Sequence, residues 1–137
     1  MDFSVQHWMV DMIVFIEPEA TVEEALAVMR RRYIHSLIVK KPHGGEYGII
    51  TSTDISDKII ADEVSPCDVR VKDIMNSPLI TIEKGKSLKE CALMMKEHHI
   101  HHLPVVDEKK NLVGMISATD FLVAAEAMCR KPGEFLT

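Results

Sequence analysis

Apolar residues in this chain fall into two spacings that alternate, and the same order of spacings occurs twice. Val14-Phe15-Ile16 and Leu79-Ile80-Thr81-Ile82 are short runs of strand type. After each comes a stretch with apolar residues at i, i+3, i+4 and i+7: Val22, Ala25, Leu26 and Met29, then Leu88, Cys91, Ala92 and Met95. That spacing predicts one buried helical face. Thr21 and Ser87 stand at the helix starts with Glu24 and Glu90 three residues on, the capping-box spacing. These helices are expected to end near Arg32 and His98. Strands follow at 36–39 and 103–106, then polar turns at 41–45 and 107–111, then strands at 47–50 and 113–116. A second helix is expected over about 53–62 and 119–130, with Pro132-Gly133 stopping the last one.

Shifting the chain by 66 residues brings 5–55 onto 71–121 without a gap, with 14 identities in 51 positions. They include Met9/Met75, Ile34/Ile100, His35/His101, Gly48/Gly114, Thr53/Thr119 and Asp54/Asp120. The chain is therefore read as two β-α-β-β-α copies of mixed α/β (α+β) class. The first spans 4–62, a linker spans 63–70, and the second spans 71–130. A unit this small buries a poor core alone, so the two are expected to pack about a pseudo-twofold axis as one domain.

The last strand of each copy runs into its second helix through one shared pattern. It reads Gly48-Ile49-Ile50-Thr51-Ser52-Thr53-Asp54 and Gly114-Met115-Ile116-Ser117-Ala118-Thr119-Asp120. Thr51 and Ser117 are placed to cap the helix, with Asp54 and Asp120 three residues on, so capping alone accounts for the pattern. A ligand reading rests on the same physics. The first turn of a helix offers free N–H groups and a positive end, where an anion docks. The hydroxyls of Thr51, Thr53, Ser117 and Thr119 donate to phosphate oxygens. A carboxylate beside such an anion makes sense as the acceptor of a neutral vicinal diol. The cluster suits a ribose-phosphate group.

Composition narrows the classes. Apolar residues make up 47% of 137 residues, enough for a core, and the net charge is -5 with no block of like charges. That balance argues against nucleic-acid binding, which needs a basic patch. Cys67, Cys91 and Cys129 share no metal-type spacing, and Cys91 falls on an apolar helical face. The N-terminus does not read as a signal peptide, and no apolar run reaches the roughly 20 residues of a membrane span. A soluble cytoplasmic protein is expected. His98, His99, His101 and His102 cluster around Ile100. They read as a solvated helix end, as an anion-binding group, or as a metal site, the last without a Cys or carboxylate at matching spacing. The nine methionines are expected to fill the core rather than to line a partner groove.

The two copies resemble a tandem pair of cystathionine-beta-synthase (CBS) domains, a Bateman module. The residues that carry the resemblance are Val71-Lys72-Asp73-Ile74-Met75, Ile100-His101-His102-Leu103-Pro104-Val105-Val106-Asp107 and the two Gly-to-Asp patterns, over about residues 4–130. The first copy departs from it, with Ile38 where Pro104 stands and His7-Trp8-Met9 at its opening. The resemblance implies clefts between the repeats that bind an adenosine-containing ligand: AMP, ADP, ATP, NAD or S-adenosylmethionine. It implies that Asp54 and Asp120 take ribose hydroxyls, the Ser and Thr residues take phosphate, and Ile49 and Met115 lie against adenine. It places His35, His101 and His102 beside the phosphates, where protonation below about pH 6.5 would tighten binding. It further implies a disc-like homodimer.

No nucleophile–base pair, metal triad or glycine-rich phosphate loop is legible, so the chain is not read as an enzyme and no cofactor is required. The reading is a regulatory sensor acting through a partner protein or a homodimer, with no nucleic acid and no membrane. A ligand-free dimerisation or interaction scaffold and a histidine-based metal-binding protein are the alternatives.

Overall fold

A computed structural model describes residues 3–43 and 45–129. The expected helix stop at Pro132-Gly133, the last residue of the expected final helix and Gly44 lie outside these. The elements in chain order are α1 (Val5–Trp8), β1 (Phe15–Ile16), α2 (Val22–Arg32), β2 (Ser36–Val39), β3 (Gly48–Thr51) and α3 (Ser52–Ile55). They continue with a π-helical turn (Ser56–Ile60), α4 (Val71–Ile74), β4 (Ile82–Glu83), α5 (Leu88–His98), β5 (His102–Val106), β6 (Leu112–Ser117) and α6 (Ala118–Met128). The chain is of mixed α+β class with two three-stranded sheets, ordered β1-β2-β3 and β4-β5-β6.

The structure divides the chain into two compact units, residues 13–79 and residues 1–12 with 80–137. In the unit of residues 13–79, β1 runs parallel to β2 and β3 antiparallel to it, pairing Ser36 with Thr51 and Ile38 with Ile49. Thr21 accepts from the Glu24 backbone N–H at 3.2 Å and starts α2. Val22, Ala25 and Met29 are buried with Leu37, Val39 and Ile50, and Val71 and Ile74 of α4 complete this core. Residues 63–70 lie along the start of α2: the Val22 and Glu23 N–H groups donate to the carbonyls of Val69 and Pro66 at 2.9 and 3.1 Å.

The other unit repeats the plan. Here β4 is parallel to β5 and β6 antiparallel to it, pairing His102 with Ser117 and Pro104 with Met115. Ser87 accepts from Glu90 N–H at 3.1 Å, and Cys91 and Met95 are buried with Leu103, Val105 and Ile116. Val5 of α1 is fully buried in this core, with Trp8 and Met9 packed against it.

Helices α2 and α5 both end on a residue in the left-handed region, Tyr33 and His99, each at φ 54°. The N–H of each donates to the carbonyl of Met29 or Met95, which closes the helix end.

Three sequence expectations are corrected. Ala92 is exposed, because the core face of α5 is narrowed to Cys91 and Met95 with Leu88 and Met94 at its edge. The second helix of the first copy is not one α-helix over 53–62: four α-helical residues pass into the π turn at Ser56. Met12 and Met128 are exposed by 46% and 68%, so not every methionine fills the core.

Candidate functional site

Each Gly-to-Asp pattern is a strand end joined directly to a helix start. Residues along β3 and β6 alternate between faces, so Ile50 and Ile116 point into the core while Ile49, Thr51, Met115 and Ser117 are half-buried on the opposite face. Glycine opens the pattern because another segment crosses the strand there. A Cβ on Gly48 would lie 2.6 Å from Met75 Sδ, and one on Gly114 would lie 2.6 Å from Met9 Sδ and 2.7 Å from the Val10 carbonyl oxygen. The crossing segments are fixed by paired backbone hydrogen bonds, Ile49 with Asn76 and Met115 with Val10, at 2.8–2.9 Å. Met9 and Met75, with the backbone oxygens of Val10 and Asn76, thus occupy the space that a side chain at Gly114 or Gly48 would need.

At the helix starts the carboxylates turn back on the strand. Asp120 Oδ2 accepts from Ser117 N–H at 2.8 Å and from the Ser117 hydroxyl at 3.3 Å. Ser117 Oγ and Thr119 Oγ1 are 2.7 Å apart. Asp54 Oδ2 accepts from Thr51 N–H at 2.9 Å and from the Thr51 hydroxyl at 3.2 Å. The capping read from the spacing is present in both copies.

The surroundings of the two carboxylates differ. Asp54 is buried, and Asn76 Nδ2 donates to both of its oxygens at 3.0 and 3.2 Å. Lys58 Nζ stands 3.1 Å from Asp54 Oδ1 and donates to the Ile74 carbonyl at 2.7 Å. Asp120 is only half-buried, and among the described residues its hydrogen-bond donors are the two groups of Ser117. Lys58 and Asn76 carried no signal in the sequence reading. The one available was the mismatch of Asn76 with Val10 at the 66-residue shift, and of Lys58 with Ala124 when that shift is carried past the aligned stretch.

Thr53 and Thr119 are exposed on the first turn of their helices. His35 and His101 are exposed, and their backbone carbonyls accept from Ser52 and Ala118 N–H at 3.0 and 2.9 Å. Both therefore sit beside a helix start. His35 shares with Ser52, Met29, Arg30 and Ile55 the wall of a pocket of about 550 Å³, which Asp54, Thr51 and Ile49 do not line. His102 pairs with Ser117 across β5 and β6, a place that Ser36 takes in the first copy. Among the described residues no group of three His, Cys, Asp or Glu side chains is arranged to hold a metal ion. Burial, with the Asp120 carboxylate as a lesser cause, pushes the Cys91 thiol up to about 11, so it remains a protonated core residue at neutral pH. Among the described residues no helix is long and apolar enough to cross a membrane.

Comparison with known proteins follows the same two-copy plan. Residues 5–61 and 71–127 each match the CBS domain family. An uncharacterized protein of Methanopyrus kandleri is 31% identical over 105 residues, which are 77% of this chain and 54% of that protein, so the chain spans about half the length of this curated relative. The hexameric CBS-CP12 protein from bloom-forming cyanobacteria superposes with a TM-score of 0.85 at 29% identity, over 96% of this chain and 77% of that one. A CBS domain pair solved in complex with 5′-methylthioadenosine and S-adenosyl-L-methionine superposes with a TM-score of 0.78 at 22% identity, over 91% of this chain and 97% of that one, a likeness of fold alone. The 66-residue period, the two sheets and the twice-built Gly-to-Asp junction have one common account: the chain belongs to the CBS domain family, as a tandem pair.

Proposed function

We propose that this protein is a regulatory module that senses an adenosine-containing ligand and passes the signal to a partner protein or a second copy of itself. The observation that carries the reading is the junction at Ser117–Asp120. It combines the positive end of an eleven-residue helix, two hydroxyls 2.7 Å apart and a half-buried carboxylate with acceptor capacity to spare. In this reading Asp120 accepts from the ribose diol, Ser117 and Thr119 donate to phosphate, and adenine lies against Met115. Thr51, Thr53, Asp54 and Ile49 are the corresponding group of the first copy, and His35, His101 and His102 stand near the helix starts where phosphate would dock. A pair of the same fold in complex with two adenosyl compounds supports the ligand class. The reading is non-catalytic. Occupancy shifts a conformational equilibrium only to the extent that the ligand prefers one arrangement over another. Exposed Leu122, Val123 and Met128 on α6 offer apolar surface to a partner.

Thermal melting with AMP, ADP, ATP, NAD and S-adenosylmethionine tests the proposal. A ligand at a hundred times its Kd adds about 2.7 kcal/mol to the stability of the folded state. At least one compound is expected to raise Tm, and Asp120→Ala to remove the rise. Unchanged melting with all five at millimolar concentration would favour a ligand-free scaffold instead.

A further inference from the structure

The two Asp patterns are not equivalent, and we infer that Asp54 is held shut by Lys58 and Asn76, so that the protein takes up one adenosyl ligand per chain, at Asp120. This rests on the ligand class proposed above. A carboxylate offers about four acceptor positions. Asp54 already receives Thr51 N–H at 2.9 Å, the Thr51 hydroxyl at 3.2 Å, Asn76 Nδ2 at 3.0 and 3.2 Å, and the Lys58 ammonium at 3.1 Å. The Asn76 and Lys58 donors supply to Asp54 what a ribose diol would have to supply. A diol entering there would displace a charge-assisted contact and leave a buried carboxylate separated from its cation.

The latch is anchored from behind. Lys58 also donates to the Ile74 carbonyl at 2.7 Å and approaches Asn76 Oδ1 at 3.4 Å, and Asn76 is fixed to β3 by its backbone pairing with Ile49. The π turn contributes as well. In α6 the fourth residue after Asp120, Ala124, faces the core and is 3% exposed. After Asp54 the wider turn sends the fifth residue, Ile59, into the core at 2% exposed, while the side chain of the fourth, Lys58, stays 38% exposed within reach of the carboxylate. At Asp120 the latch positions are occupied by Val10 and Ala124, whose side chains have no donor.

Titration calorimetry with AMP and with S-adenosylmethionine tests this on the full chain. The wild type is expected to bind one molecule per chain, and Lys58→Ala with Asn76→Val, which copies the second pattern onto the first, to bind two. Val10→Asn brings the amide to Asp120 at a position 48% exposed, where folding tolerates it, and is expected to weaken binding at least ten-fold. Two equivalent sites in the wild type, a double variant that stays at one, or full affinity in Val10→Asn would overturn the latch and leave the proposed function standing. Binding of neither compound to any of these proteins would bring down both.

Discussion

At the scale of single residues, some positions are set by packing and others by charge. Gly114 belongs to packing. Its absent Cβ leaves room for Met9 Sδ and the Val10 carbonyl, at 2.6 and 2.7 Å from where a Cβ would stand. The backbone oxygen cannot rotate away, so Gly114→Ala is expected to cost about 1–3 kcal/mol in urea unfolding. Gly48→Ala should cost less, since its nearest backbone oxygen, that of Asn76, lies at 3.1 Å. Equal losses would argue that the methionine side chains alone decide the fit. Asp107 belongs to charge. Its carboxylate accepts from the backbone N–H of Asn111 and of Lys109, both at 2.9 Å, and from the Asn111 side chain, which hold it below the usual carboxylate range. A carboxyl with a lowered folded pKa contributes stability above its unfolded value of about 3.9 and loses it as pH falls through the folded value. Asp107→Ala should therefore lower the urea midpoint at pH 7 more than at pH 3. A gap of the same size at both would place the effect in the turn geometry rather than in the charge.

At the scale of elements, α2 and α5 start and end where the spacing placed them, but the left-handed form of their ends was not readable. The Thr21 and Ser87 caps are local, a side chain reaching three residues along its own chain, so spacing is enough to find them. The ends at Tyr33 and His99 place non-glycine residues at φ 54°, and no sequence rule points to Tyr or His there. Tyr33 is 91% exposed and loses little packing if replaced. Tyr33→Gly is expected to add about 0.5–1 kcal/mol to unfolding stability, the left-handed strain relieved less the extra chain entropy of glycine. A loss on chemical denaturation would mean that the ring contributes through contacts outweighing the strain. The π turn after α3 was equally hidden, since it depends on burying Ile59 rather than Lys58.

At the scale of the whole molecule, the sequence repeats and the compact units do not share boundaries. Among the described residues, 3–12 pack with 80–129, and 13–79 hold α4, so each unit takes its short opening helix from the other side of the repeat boundary. Val5 is 0% exposed and Val71 likewise, and full burial of a valine is worth roughly 1.5–3 kcal/mol. Removing residues 1–12 strips Val5, Trp8 and Met9 from the core beside Leu103 and Ile116, and the hydrogen bonds between Val10 and Met115 at 2.8–2.9 Å go with them. Amide exchange at Met115 is expected to approach that of an exposed strand edge in the truncated protein. Retained protection there would show that β5 and β6 hold without the opening segment.

The sequence by itself determined the repeat, the order of the strands and of the helices between and after them, the mixed fold class and the location of the Gly-to-Asp junction. Each rests on local periodicity or on short-range capping, which a linear spacing records. Only the tertiary structure decided why Gly48 and Gly114 are glycine, which unit each opening helix joins, and that Asp54 and Asp120 differ. Those depend on contacts between residues far apart in the chain. Asn76 reaches Asp54 across 22 positions, and Lys58, one helical turn on, stays beside it while the π turn sends Ile59 into the core. Two carboxylates in motifs of the same spacing thus acquire different partners, and the difference is set by side chains that the motif does not contain.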